Sequence, residues 1–309
     1  MNHLTPAISV IIPCFNEEDD LFKSVNSVLQ QSVRPSEIII IDDASTNEKT
    51  RKVLREVEKM DLVKVIYLKE NKGPGIARNK GIEASTSNWI LLLDSDDILL
   101  EGAIENVLKS VEDNPSADFF FWNYSLNEMA LKKISTISTN EVCEDGTPVL
   151  DPYKLARNFI IPGCSPYKKQ MWEAVGGYDP QLSKGGVEDI DFWRRSILNG
   201  AKGIHIDKTL YQWNRKATGN NSNIDEAKYL LHRQKILPYY DKYNPEQAKE
   251  IRPYIYRYYS SRLMAKELND FLIKEKIHFS ILHRLKAKGL YIKPLYKVVR
   301  LIKNKLMRL

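Results

Sequence analysis

Trp89-Ile90-Leu91-Leu92-Leu93-Asp94-Ser95-Asp96-Asp97 decides how this chain of 309 residues is read. Five apolar residues in a row suit a short strand buried on both faces inside a parallel sheet. Three carboxylates directly beyond it gather negative charge where parallel sheets bind ligands, outside the carboxyl ends of their strands. Charge crowded beside a core is unfavourable unless a cation sits with it. Hard oxygen donors suit Mg²⁺ or Mn²⁺, which bridge protein to phosphate. The expectation is a metal–diphosphate site. The plainer alternative is that Asp94 or Asp97 caps the helix beginning near Glu101.

Working outward, the preceding residues alternate strand and helix signals. Ile8–Ile12 reads as a strand closed by Pro13. Asn16 is placed to cap a helix with Glu17, Glu18, Asp19 and Asp20 in its first turn and Leu21, Val25, Val28 and Leu29 on one face. Glu37–Ile41 is a second buried strand ending at Asp42-Asp43. Asn47–Lys59 reads as a helix, Val63–Leu68 as a strand and Ile76–Ala84 as a short helix. Repeated βα units predict an α/β fold with a mostly parallel sheet and right-handed crossovers.

Downstream, Glu101–Glu112 reads as a helix and Phe119–Tyr124 as a strand. Residues 131–168 are mixed, because Pro148, Pro152, Pro162 and Pro166 break any long element. Glu188–Leu198 has helical spacing, and Gly203–Ile206 and Leu210–Trp213 read as two short strands. Beyond the polar stretch Asn214 to Asn223 the chain is helical and rich in Tyr and Lys. A boundary near residue 217 therefore separates an α/β domain, 1–217, from a helical C-terminal region, 218–309.

With 43% hydrophobic and 28% charged residues, the composition is that of a globular protein and excludes a largely disordered one. Cys14, Cys143 and Cys164 are odd in number and lack CxxC spacing. That argues for a reducing compartment and against a zinc site or disulfide framework. Neither a signal peptide nor a membrane span is legible, so a cytoplasmic location is expected. The net charge of +6 is uneven: residues 286–309 carry eight Lys and Arg and no acid, leaving −2 for residues 1–285. A nucleic-acid binder would carry basic charge on its folded body, and no nucleic-acid partner is expected. In the tail, Leu295, Val298, Val299, Ile302, Leu306 and Leu309 share a helical face opposite Lys297, Arg300 and Arg308. A basic amphipathic helix of this kind either attaches to an anionic membrane surface or packs on its own domain.

Three further segments carry chemistry. Asp42, at a strand end, has an acceptor for the N3–H of a pyrimidine, or forms an Asx-turn with Ala44 and Ser45. The segment Asn71-Lys72-Gly73-Pro74-Gly75-Ile76-Ala77-Arg78-Asn79 is neither a dinucleotide fingerprint nor a P-loop. It is a tight turn feeding a helix whose Arg78 either reaches phosphate or base or lies exposed on the surface. Gly185-Gly186-Val187-Glu188-Asp189-Ile190-Asp191 sets three acids at a helix start. These favour the helix dipole or supply a general base, and Arg194 and Arg195 can pair with Asp191.

With these segments in order, the chain resembles the inverting GT-A glycosyltransferases of family 2. The match is carried by Ser9 through Glu17, Ile41-Asp42-Asp43-Ala44-Ser45, Asn71 through Gly81, Asp94-Ser95-Asp96-Asp97, Gly176-Gly177-Tyr178-Asp179 and Glu188-Asp189-Ile190-Asp191. It implies a Rossmann-like GT-A domain with a C-terminal helical extension. By resemblance, Asp94 and Asp96 form a DxD motif, with Asp96 on a divalent metal (Mn²⁺ or Mg²⁺) and Asp94 on ribose or metal. Pro13, Phe15, Asn16 and Glu17 line the nucleoside pocket, Asp42 holds the base, and Arg78 and Ser95 assist. Asp189 is the catalytic base, with Glu188 and Asp191 as weaker candidates for that role, and Asp97 and Arg215 are secondary site residues.

The function so implied is inverting transfer of a sugar from a nucleotide-sugar donor, a UDP-sugar above all. The acceptor would be a saccharide or a polyprenyl-linked lipid, in surface polysaccharide synthesis. Some relatives carry a histidine ligand after the last strand, whereas Asn214 to Ser222 contains none. That leaves Arg215 or Lys216 to contact the diphosphate, and the loop itself to close over the donor. Two other readings are a sugar-nucleotide pyrophosphorylase and a non-catalytic nucleotide-sugar-binding module. The acidic Cys14-Phe15-Asn16-Glu17 turn disfavours the first, and the presence of Asp96 and Asp189 disfavours the second.

Overall fold

A computed structural model describes residues 7–139, 161–184, 186–216 and, within 231–239, all but 233 and 237. Its first half consists of three βα units and a fourth strand. These are β1 (Ile8–Cys14), α1 (Asp19–Leu29), β2 (Glu37–Asp42), α2 (Glu48–Val57), β3 (Val63–Tyr67), α3 (Pro74–Ala84) and β4 (Trp89–Leu92). The strands pair in parallel in the order β3-β2-β1-β4. Because the chain crosses from β1 to β2 on one side and returns to β4 on the other, the order reverses at β1. Open α/β sheets bind ligands in the crevice at such a point.

Alternate residues of each strand feed opposite faces of the sheet. Val10, Ile12, Ile38, Ile40 and Leu91 pack on one side with Leu21 and Val25 of α1 and Leu54 of α2. Ile11, Ile39, Ile41, Ile90 and Leu92 pack on the other with Ala77 and Ile82 of α3. Two covered faces explain why these strands read as continuous apolar runs. Gly81 lets α3 lie against the sheet, since a Cβ there would sit 2.4 Å from the Ile11 side chain.

The second half comprises β5 (Ile98–Leu99), α4 (Ala103–Asp113), β6 (Phe119–Glu128), a 3-10 turn (Met129–Leu131) and β7 (Lys133–Ile137). After a segment outside the described residues come β8 (Tyr167–Lys168), α5 (Lys169–Ala174), α6 (Glu188–Leu198) and β9 (Gly203–Arg215). The sheet continues β4-β8-β6-β9-β5, with β7 on β6. Here β8 runs antiparallel to both β4 and β6, whereas β6 and β9 run parallel.

Several expectations are corrected. Gly203–Ile206 and Leu210–Trp213 belong to one strand, β9, whose register against β6 shifts between Trp122 and Tyr124. The shift passes over Asp207 and Lys208, the polar pair that broke the apolar pattern. β6 runs on to Glu128 and turns back as β7, a hairpin that the alternation did not reveal. α3 begins at Pro74, where a proline in the first turn suits a helix start. Asn16 does not cap α1, which has Glu18 at its N-cap with no side-chain cap bond. The polar stretch expected from Asn214 is still strand at Asn214 and Arg215. The boundary near 217 and the basic tail at 286–309 lie outside the described residues.

Candidate active site

The loops beyond β1, β2 and β4 meet at the reversal point. Cys14 of β1 is the register partner of Asp42 of β2, and the Asp43 amide donates to the Cys14 carbonyl (2.8 Å). Asp42 is buried, and its Oδ1 accepts the Ser45 amide (3.0 Å), closing a local turn three residues on. Asn16 adopts a positive φ of 55°. Its amide donates to Ser45 Oγ (2.9 Å), and its Oδ1 accepts the amides of Thr46 (2.8 Å) and Asn47 (3.0 Å). The short amide side chain thus knits the β1 and β2 loops together. Pro13 is buried in β1, whereas Phe15, directly after that strand, is exposed.

Asp43, to which the sequence reading gave no role, is the clamp of the next loop. Its two carboxylate oxygens accept the amides of Lys72 and Gly73, each at 2.7 Å. Gly73 has φ +89°, and a Cβ there would meet the Ser183 carbonyl oxygen at 2.5 Å. Ser183 Oγ also accepts the Ile76 amide (2.8 Å). Gly73 therefore serves a close backbone approach that seats the loop leading to Glu188.

The three aspartates beyond β4 take different tasks. Asp97 is buried and accepts the Tyr211 hydroxyl and the Asn214 amide (2.7 Å). Burial, then repulsion from Asp94 and Asp96, pushes its carboxyl up. It moors the tetrad to β9, and Asn214 Nδ2 adds a bond to the Asp96 carbonyl (2.8 Å). Asp94 is nearly half exposed, and its Oδ1 accepts from Arg78 Nη2 (2.9 Å). Asp96 is partly exposed, with Oδ2 3.3 Å from Lys216 Nζ. Burial, then Asp94, raises the Asp96 carboxyl to about 6. Among the described residues Asp94 Oδ2 and Asp96 Oδ1 accept no hydrogen bond. Two carboxylates, each with a spare oxygen, fit the set that Mg²⁺ or Mn²⁺ takes beside a substrate diphosphate.

Arg78 is the hub. It is 7% exposed, which rules out the surface reading. Its Nη1 lies 3.0 Å from Glu188 Oε1, so one guanidinium joins the β4 carboxylates to the head of α6. The arginine is spoken for by carboxylates rather than aimed at phosphate or base. Glu188 is buried, and Oε2 has no hydrogen-bond partner among the described residues. Burial, then repulsion from Asp189, raises its carboxyl to about 7. Asp189 is partly buried and accepts its own helix's Ile190 amide at Oδ1 (2.7 Å). Burial raises its carboxyl too, with the Arg78 charge pulling it back.

Asp191 and Arg215 stand apart from this cleft chemistry. Asp191 is held by Arg195 Nε and Nη2 (2.8 and 2.6 Å), and Arg195 also binds the carbonyls of Val175 and Gly177. Arg215 is exposed, lies 3.9 Å from Glu128 and stacks over Trp213. The next residue, Lys216, faces the cleft instead. Beside Asp96, a pocket of about 190 Å³ is lined by Asp20, Asn127, Gln212 and Asn214 among others.

Lys216 joins Glu17 to Asp96, and Arg78 joins Asp94 to Glu188, the chain neighbour of Asp189. The arrangement can hold a polar, anionic ligand at its β-strand end and offer a carboxylate base at its α6 end.

The sequence model of Glycosyl transferase family 2 matches residues 9–174. TuaG of Bacillus subtilis, a glycosyltransferase provisionally assigned to teichuronic acid biosynthesis, is 37% identical over 150 residues, covering 48% of this chain and 53% of TuaG. The chain therefore spans about half the length of that relative. An uncharacterised glycosyltransferase of Methanocaldococcus jannaschii is 25% identical over 245 residues, covering 76% of this chain and 78% of its own. S. aureus TarS, solved with UDP-GlcNAc, superimposes with a TM-score of 0.67 at 16% identity, over 98% of this chain and 92% of that one. That likeness establishes the GT-A fold. Among the described residues no helix is long and apolar enough to cross a membrane.

Proposed function

This chain belongs to glycosyl transferase family 2, and from that premise we propose that it transfers one sugar from a UDP-sugar to an acceptor hydroxyl with inversion. The acceptor is a saccharide or a lipid-linked glycan in surface polysaccharide assembly. The observation that carries this reading is the Arg78 bridge, which puts the Asp94 and Glu188 carboxylates at 2.9 and 3.0 Å from one guanidinium. A donor resting on the β4 aspartates then has its sugar directed toward α6. TuaG and the UDP-GlcNAc complex of TarS support the donor class and the polysaccharide context.

In the proposed reaction Phe15 stacks on the base, and Asp42 accepts from it with the oxygen left over from its turn. Asp94 and Asp96 would hold a divalent cation, which supplies Lewis-acid neutralisation of the diphosphate leaving group. Asp189 accepts the proton of the acceptor hydroxyl as that oxygen forms its bond to the anomeric carbon. The bond from that carbon to the diphosphate breaks, and its electron pair leaves with UDP. A single displacement inverts the centre. Glu188, buried and half-neutralised by Arg78, shapes the field around Asp189.

The reading is tested with a panel of nucleotide sugars and Mn²⁺, scored for released nucleoside diphosphate. Release from a UDP-sugar, lost in Asp96→Asn, is expected. Binding of no nucleotide sugar by the intact chain would overturn it.

A further inference from the structure

Lys216, directly after β9, is surrounded by carboxylates from three segments. Its Nζ lies 2.7 Å from Glu17 Oε2, 3.2 Å from Asp20 Oδ2 and 3.3 Å from Asp96 Oδ2. Glu17 belongs to the loop after β1, Asp20 to α1 and Asp96 to the tetrad after β4. One ammonium therefore straps the two lips of the crevice at the point where strand order reverses. No other Lys or Arg ion-pairs with Glu17 or Asp96 among the described residues.

A surface pair would be of little consequence, but this one is partly buried and has three acidic partners. Without Lys216, Glu17, Asp20 and Asp96 would repel one another and any entering diphosphate. The same side chain has a flexible four-carbon stem, so its charge can change partner without the backbone moving far. Arg78 cannot do this, being buried and pinned at both ends.

We propose that Lys216 is the built-in countercation of the donor pocket. Its ammonium holds Glu17, Asp20 and Asp96 together before a nucleoside diphosphate arrives. It then moves onto the diphosphate as Asp96 turns to the incoming divalent cation. This rests on the donor reading above and adds a residue that both competes with the metal and recognises phosphate.

The test compares three full-length proteins: wild type, Lys216→Met and Lys216→Arg. Thermal unfolding of each first establishes that it is folded. With Mn²⁺ alone, free ion counted by electron paramagnetic resonance, Lys216→Met is expected to bind about fivefold more tightly than wild type, the scale of one lost competing charge. With Mn²⁺ saturating, Lys216→Met is expected to lose about tenfold in UDP affinity by calorimetry, while uridine affinity stays unchanged. Lys216→Arg should recover most of the UDP affinity. An unchanged Mn²⁺ affinity, or an equal loss for UDP and uridine, in folded Lys216→Met would overturn the inference. Failure of wild type to bind UDP would instead sink the donor reading itself.

Discussion

Arg78 and Glu188 stand 110 residues apart in the chain and 3.0 Å apart in space, both buried. The second Nη of the same guanidinium reaches Asp94. A buried arginine between two carboxylates is costly to desolvate, and removing it leaves the buried Glu188 uncompensated and Asp94, nearly half exposed, without its partner.

Arg78→Met is therefore expected to destabilise the protein by about 3 kcal/mol or more, read as a lowered midpoint in urea. Adding Glu188→Gln should return part of that loss, because it removes one stranded charge. A single variant as stable as wild type would show that the bridge is not structural.

The raised Glu188 carboxyl sets a pH dependence whose sign follows from linkage. Its ordinary value is 4.5 and its folded value about 7. Folded protein thus keeps this proton over a range where unfolded chain has lost it. The contribution to stability is full below about 4.5 and is lost as pH rises toward 7, beyond which it stays constant. Wild type minus Glu188→Gln, in melting temperature, should fall across that window and level off above it. A flat difference would mean that Glu188 is ionised throughout.

The parallel half of the fold was legible because β1, β2 and β4 are buried on both faces and end in polar turns. Ile38 to Ile41 and Trp89 to Leu93 announce themselves locally. The β6–β7 hairpin and the single long β9 were not, since their pairing depends on partners far along the chain. The site divides the same way. Carboxylates at strand ends were visible, but the separation of their tasks was not. Asp97 became a mooring because Tyr211 and Asn214 lie 114 and 117 residues away and happen to return to it. Asn16 sits where a helix cap would, yet its side chain is spent on the amides of Thr46 and Asn47. Adjacent identical side chains carry no local mark of which one faces a ligand.

Gly73 and Gly163 offer a matched pair for the loop that seats α6. A Cβ at Gly73 meets the Ser183 carbonyl at 2.5 Å with φ +89°, whereas at Gly163 it meets nothing within 4 Å. Gly73→Ala is expected to cost about 1–3 kcal/mol, and Gly163→Ala to stay within about 0.5 kcal/mol of wild type, both by chemical denaturation. Equal effects would remove the reason for a glycine at 73.

The decisive measurement separates donor binding from transfer in Asp189→Asn, with UDP affinity taken by calorimetry and turnover by UDP release from the sugar donor in the presence of acceptor. UDP affinity is expected within about twofold of wild type, with turnover down by about 100-fold or more, the usual worth of a positioned base. Near-normal turnover in Asp189→Asn would contradict the assignment of the α6 carboxylate as the base of this cleft.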